Sequence, residues 1–186
     1  MSKKLLLGLC GLRCSGKSEL RKLIETSYDL FVFDTNSIPT GDNDANAILP
    51  DEIVQRYGKG ESYFHFLQEP LQNAVDRESG LIVIDSIKSS NDVRVLRSFF
   101  PFVDVYTLWI HAPYVLRYER YKNRDLNSGI RTGSLKAHDD ALIQVGISDV
   151  CLNADFVISN VFDLKSLEND FSRIANTLIQ KTLVSS

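Results

Sequence analysis

Near the start of the chain, Gly11-Leu12-Arg13-Cys14-Ser15-Gly16-Lys17-Ser18 spells G-x-x-x-x-G-K-S, directly after the apolar run Leu5-Leu6-Leu7-Gly8-Leu9. Few folds accommodate this. A buried strand has to deliver the chain to the loop, and a helix has to open straight out of it. Ser18 to Ile24 meets the second demand, with Leu20, Leu23 and Ile24 on one helical face. The residue types fit phosphate chemistry. Gly11 and Gly16 let the backbone curl until successive N–H groups face one anion. Lys17 reaches terminal phosphates, the Ser18 hydroxyl suits Mg²⁺, and a helix N-terminus favours negative charge. The nucleotide-binding set read from the loop is Gly11, Cys14, Ser15, Gly16, Lys17, Ser18 and Glu19, with Lys17 also catalytic.

Beyond the loop, apolar runs alternate with helical patterns, the signature of a parallel sheet covered on both faces. Strands are predicted at 30–34, 81–85, 105–110 and 155–159 after the first at 5–9. Helices are predicted around Tyr63 to Val75, over 93–100, from Pro113 to about Arg124, from Leu135 to a stop at Gly146, and from Leu164 onward. Residues 39–80 are more polar and irregular, and 125–134 form a glycine-punctuated polar loop. The chain reads as one domain over residues 1–186, with no internal repeat or interdomain linker.

In open α/β sheets ligands collect beyond the carboxyl ends of the strands. Asp34 and Asp85 both close apolar strands and so rim the same crevice as Lys17. Asp85 suits Mg²⁺ and its water shell, alongside Ser18, and a helix cap is its competing use. Asp34 suits orienting or deprotonating an acceptor hydroxyl, against an Asx turn leading into Pro39. Arg117, Arg120 and Arg124 stack on one helical face. Guanidinium groups there suit a transferring phosphoryl group, and Arg120 and Arg124 are read as catalytic. A solvated charged face is the plain alternative. Arg131 sits in the polar loop, and His65, His111 and His138 are isolated. Tyr63, Phe64 and Phe66 suit either an acceptor pocket or core packing.

Composition narrows the classes. With 186 residues, 44% of them hydrophobic, the chain can bury the core of one α/β domain. A net charge of -3 without a basic stripe argues against a nucleic-acid partner. Cys10, Cys14 and Cys151 have neither metal-ligand spacing nor the even number of a disulfide scaffold. Cys14 lies at a helix N-terminus, which lowers thiol pKa values, although a tolerated loop residue is the simpler account. The start, Met1 to Leu9, is too short in its apolar part for a secretion signal. No run approaches the roughly 18 apolar residues that cross a membrane. These features point to the cytosol and to no membrane partner, and leave the oligomeric state open.

With these residues in place, the chain resembles the nucleoside-monophosphate-kinase-like group of P-loop kinases. It looks nearest to dephospho-coenzyme A kinase and a related set of uncharacterised archaeal proteins. The matching stretches are Gly8 to Leu20, Val83-Ile84-Asp85-Ser86-Ile87-Lys88-Ser89, Ile110-His111-Ala112-Pro113 with Arg117, Arg120 and Arg124, Gly146-Ile147, and Ala154 to Asn160. The resemblance implies a three-layer α/β fold with a five-stranded parallel sheet ordered 2-3-1-4-5. It also implies ATP-Mg²⁺ as donor, an acceptor-binding insertion at about 39–80 and a lid at about 125–134. Two departures stand out. Dephospho-coenzyme A kinases usually carry Asp-x-Asp after the second strand, where this chain has Asp34-Thr35-Asn36. The archaeal relatives tend to have Arg-Asp in the lid helix, where His138-Asp139 stands here.

Two readings compete. One is a kinase that moves the γ-phosphoryl group of ATP to a small nucleotide-like or coenzyme-like acceptor. The other is a non-catalytic ATP-binding regulatory module. The lack of an Asn-Lys-x-Asp element for guanine argues against a GTPase.

Overall fold

The computed structural model describes residues 3–35, 50–57, 63–65, 67–128 and 134–184. The elements run β1 Leu5–Cys10, α1 Lys17–Ser27, β2 Phe31–Asp34, α2 Pro50–Tyr57, a 3₁₀ turn Tyr63–His65, α3 Gln68–Arg77, β3 Leu81–Asp85 and α4 Ser90–Phe99. They continue as β4 Asp104–His111, α5 Tyr114–Ser128, α6 Leu135–Gln144, α7 Ile147–Leu152, β5 Phe156–Ser159 and α8 Leu164–Val184. The five strands are parallel and ordered β2-β3-β1-β4-β5, as expected.

The central strands are continuous apolar runs because both faces of the sheet are covered. Side chains alternate across β1. Leu5, Leu7 and Leu9 pack against Leu20, Leu23 and Ile24 of α1 and Leu167, Phe171, Ala175 and Leu178 of α8. Leu6 and Cys10 point the other way, into a core built with α2, α3, α4, α6 and α7. Full burial pushes the Cys10 thiol well above the usual cysteine range. Phe64 is buried in that second core, so packing is its use, while the side chains of Tyr63 and Phe66 lie outside the described residues.

The order places the carboxyl ends of β1, β3 and β2 side by side, where the first three crossovers leave the sheet. One close approach fixes the spacing there. Ile87, just after β3, lies over β1, and its N–H donates to Leu9 O at 2.9 Å. A Cβ on Gly8 would run into the Ile87 side chain. Only glycine at position 8 lets the β3–α4 connection cross so low.

Several boundaries differ from the sequence reading. Helix α2 forms within the polar stretch 39–80, and α7 begins directly after Gly146, which the sequence pattern marks only as a stop. Gly146 has φ +94° and is the N-cap of α7, so the left-handed turn that ends one helix starts the next. Helix α5 runs on to Ser128, so Asp125 to Ser128 are helical and not part of a polar loop. The remainder of the expected lid, except Ser134, lies outside the described residues. So do 39–49 and 58–62 of the expected insertion, together with Asn36, Pro39 and Arg131.

Candidate functional site

The loop between β1 and α1 is held through its carbonyl oxygens. Lys17 Nζ donates to Gly11 O at 2.5 Å and to Leu12 O at 3.2 Å. Arg117 Nη1 donates to Arg13 O at 3.1 Å. Arg120 Nη1 reaches Cys14 O at 3.3 Å and Ser15 O at 3.4 Å, and Asn160 Nδ2 donates to Ser15 O at 2.8 Å. Gly16 O takes the first helical bond, from Leu20 N at 2.9 Å. A trans peptide sets the next N–H opposite each carbonyl. Turning these carbonyls toward protein donors aims following N–H groups the other way, which is the making of an anion nest, although the Ser15 N–H turns inward and donates to Leu12 O at 3.2 Å.

Backbone conformation agrees. Gly11 and Gly16 have φ of +151° and +111°, and Cys14 adopts φ +61°. A Cβ at Gly16 would collide with the Asn160 amide, and one at Gly11 would meet Ile110 O and Ser15 Oγ, each at 2.7 Å. Among the described residues, Ser15 Oγ is the only buried side-chain polar atom without a hydrogen-bond partner. A buried hydroxyl left in that condition costs free energy that a phosphate oxygen would recover. The glycine cradle, the outward carbonyls and the Ser15 hydroxyl all fit a polyphosphate.

Charge is concentrated on the β2–β3 side. Asp34 and Asp85 are register partners at the ends of β2 and β3. Arg21 of α1 forms an ion pair with Asp34, and its Nη1 lies 3.8 Å from Asp85 Oδ2. Asp34 is thus engaged by a guanidinium. Thr35 closes the corner, its N–H and hydroxyl both donating to Asp85 O, at 2.7 and 2.9 Å. Burial pushes the Asp85 carboxyl above the usual range, with Lys17 pulling it back and Asp34 adding to the rise. Burial likewise holds the Lys17 ammonium below the usual lysine range, against Asp85 and together with Lys88. The two groups share one poorly hydrated corner. Asp85 does not cap a helix: α4 is capped by Ser89, whose hydroxyl accepts from Asp92 N while the Asp92 carboxylate accepts from Ser89 N. Ser18 and Glu19 lie exposed in the first turn of α1. Among the described residues no three-acid, His or Cys cluster exists. A Mg²⁺ ion needs none, because it is usually held by one or two protein groups with phosphates and water. Ser18 and Asp85 are the groups able to supply them.

The arginine stripe divides. Arg117 is neither solvated nor turned to the crevice: it is 4% exposed. Its Nη1 and Nη2 meet Asp139 Oδ1 and Oδ2 at 2.9 and 2.7 Å. Arg120 is half-buried and donates, besides the loop carbonyls, to Asn160 O at 3.0 Å and Asn160 Oδ1 at 3.3 Å. The Arg124 side chain lies outside the described residues. His138 is buried with Nδ1 3.4 Å from Arg13 Nη1, and the Arg13 guanidinium lies 5.7 Å from the Tyr121 ring centre. His65 and His111 are exposed. Spacing singles out neither Asp139 nor Asn160. The signal for Asn160 is its place one residue past the last strand, at the carboxyl end of the sheet.

Beside the loop opens a cavity of about 350 Å³, lined by Cys14, Arg120, Asn160, Phe162, Leu164 and Leu167. Phe162 and Leu164 are 74% and 54% exposed. A guanidinium facing apolar side chains suits a flat aromatic ring, which can stack on one and pack on the other.

No protein-family model matches the chain. Among curated proteins it is similar to UPF0200 proteins, such as that of Thermococcus onnurineus, 27% identical over 108 residues (58% of this chain, 56% of the relative). The UPF0200 protein of Pyrococcus horikoshii is 28% identical over 115 residues (61% and 60%). The chain thus matches little more than half the length of these relatives. Among solved structures it resembles a gluconokinase from Sinorhizobium meliloti (TM-score 0.61, 13% identity, 98% of this chain and 97% of that one). It also resembles the APS kinase of Mycobacterium tuberculosis (TM-score 0.53, 17% identity, all of both chains). The shikimate kinase of Aquifex aeolicus gives a TM-score of 0.50 at 20% identity, over 94% and 99%. No helix among the described residues is long and apolar enough to cross a membrane. Strand order and structural likeness together give the chain the three-layer fold of the small-molecule P-loop kinases.

Proposed function

We propose that the protein is an ATP-dependent kinase that transfers the γ-phosphoryl group to a small nucleotide-like or coenzyme-like acceptor, of the nucleoside monophosphate or dephospho-coenzyme A type. The observation that carries the reading is the loop from Gly11 to Ser18, whose carbonyls are turned to protein donors beside Lys17 and the buried Asp85. The donor phosphates lie along the loop, with Cys14, Ser15 and Glu19 around them, and the base occupies the cavity between Arg120 and Phe162. Ser18 and Asp85 would hold a Mg²⁺ ion, which would supply charge neutralisation to the donor phosphates. Lys17, Arg120 and Arg124 hold the terminal phosphoryl group, and Asp34 orients the acceptor hydroxyl. The protein works in the cytosol without a nucleic-acid or membrane partner.

A second reading is favoured by the Arg21–Asp34 ion pair. A carboxylate occupied by a guanidinium is not open to an acceptor hydroxyl on that side, and that suits a module that binds ATP without efficient transfer. One experiment separates the two. ATP consumption is measured against nucleoside monophosphates, nucleosides and dephospho-coenzyme A, with Lys17→Ala as the control. Turnover with one acceptor class, lost in Lys17→Ala, supports the kinase. ATP binding by calorimetry with no turnover on any acceptor supports the module. Equal ATP binding by wild type and Lys17→Ala overturns both.

A further inference from the structure

Helices α5 and α6 meet at a buried bidentate pair, Arg117–Asp139, with side chains 5% and 10% exposed. The hydrogen-bond inventory of this guanidinium is specific. Nε donates to Ala112 O at 3.1 Å, and Nη2 donates to Asp139 Oδ2 at 2.7 Å. Nη1 has two protons: one goes to Asp139 Oδ1 at 2.9 Å, the other to Arg13 O at 3.1 Å. A carboxylate that takes both forks fixes the plane of the guanidinium. The remaining Nη1 proton is then aimed at the loop. Stability alone does not explain the pair, because well-packed apolar replacements of buried ion pairs are often no less stable.

We propose that Asp139 is a positioning residue for the phosphate-binding loop: through Arg117 it holds the peptide between Arg13 and Cys14 with its carbonyl outward and the Cys14 N–H toward the nest. This rests on the nucleotide reading of the loop. A second contact at the same place, between Arg13 Nη1 and His138 Nδ1, ties the loop to the residue preceding Asp139. The peptides on either side are held differently. Lys17 takes the carbonyls of Gly11 and Leu12, whereas Arg120 and Asn160 take those of Cys14 and Ser15. Helix α6 therefore acts on one peptide of the loop, the one at its apex.

The test compares wild type with Asp139→Asn and with the apolar pair Arg117→Met/Asp139→Leu, which gives up the carbonyl contact while keeping the site filled. Three quantities are read: thermal midpoint, affinity for Mg²⁺-ATP by calorimetry, and the Cys14 amide resonance and its hydrogen-exchange rate in the nucleotide-free protein. The proposal expects the apolar pair to melt close to wild type, to bind Mg²⁺-ATP roughly tenfold more weakly, and to show a displaced, faster-exchanging Cys14 amide. A single interaction of about 1.4 kcal/mol corresponds to that factor. Asp139→Asn should do the same to the amide even if it folds less stably. An unchanged Cys14 amide in both variants, or undiminished affinity with the amide displaced, overturns the proposal. If wild type itself fails to bind Mg²⁺-ATP, the nucleotide reading falls, and the Cys14 amide in the nucleotide-free protein still decides whether Asp139 sets that peptide.

Discussion

Asp85 is where a single residue links protonation to function. Its carboxyl is raised above the ordinary value of 3.8, mainly by burial, so the folded state holds its proton to higher pH than the unfolded chain does. Between the two values the folded protein binds more protons, and stability falls as pH rises through that window. Asp85→Asn should flatten this part of the profile, as read from denaturant midpoints across pH. The same group would serve Mg²⁺ only when ionised. Mg²⁺-dependent ATP affinity of wild type should therefore decline on acidification at a higher pH than an ordinary carboxylate would give, and Asp85→Asn should lack the metal-dependent part altogether. A metal dependence of equal size in the variant would remove Asp85 from the ion's neighbourhood. The neighbouring ammonium, Lys17, is displaced in the opposite direction by the same burial. Each is thus the other's principal compensation.

At the scale of elements, α5 contributes two arginines one turn apart that do different work. Arg117 ties the loop to α6, whereas Arg120 stands between the loop and the cavity. If Arg120 stabilises the transferring phosphoryl group, Arg120→Ala should reduce turnover by about 10²- to 10³-fold with a smaller loss of ATP affinity. Steady-state rates and calorimetry read the two separately. A loss of affinity as large as the loss of turnover would instead give Arg120 the same bracing task as Asn160. Sequence alone does not divide the stripe. Spacing along one helix shows which side chains are neighbours, but Asp139 is 22 residues from Arg117 and on another helix. Its signal is weak: a carboxylate on the same helix as Leu135 and Leu142. The cap of α4 is a local pattern, although the sequence reading offers Asp85 and not Ser89 for a cap. Ser89-Ser90-Asn91-Asp92 carries its own reciprocal hydrogen bonds and needs no distant partner.

Across the whole molecule, the legible features are those that depend on neighbours in sequence. Buried parallel strands are apolar over most of their length, so β1, β3 and β4 announce themselves, and the glycine-lysine-serine loop dictates a helix directly after β1. Helix α2 escapes a reading by pattern because its apolar positions are few. Ile53 is buried only because α6 and the second core receive it. Helix α7 is six residues long, too short for a periodic pattern to show. The carbonyl clamp is not legible at all. It joins residues 13–15 to 117, 120 and 160, side chains that converge only once β1, β4 and β5 lie side by side.

The passage of Ile87 over Gly8 has a consequence for how this chain tolerates change over generations. The two positions share one volume: what position 8 gains, position 87 has to give up. Gly8→Ala alone should cost about 1–3 kcal/mol by overpacking, and it should also weaken Mg²⁺-dependent binding, because the segment it displaces begins two residues after Asp85. Gly8→Ala with Ile87→Ala, which removes the Cγ1 and Cδ1 that the new Cβ would meet, should regain much of both, and with Ile87→Val, which keeps a Cγ1, much less, as read from thermal midpoints and calorimetry. Additive losses in the double variants would show that the two sites drift independently. Descendants of this sequence with a larger residue at 8 are then expected to carry a smaller one at 87, a reciprocal exchange between two positions that carry no polar side chain.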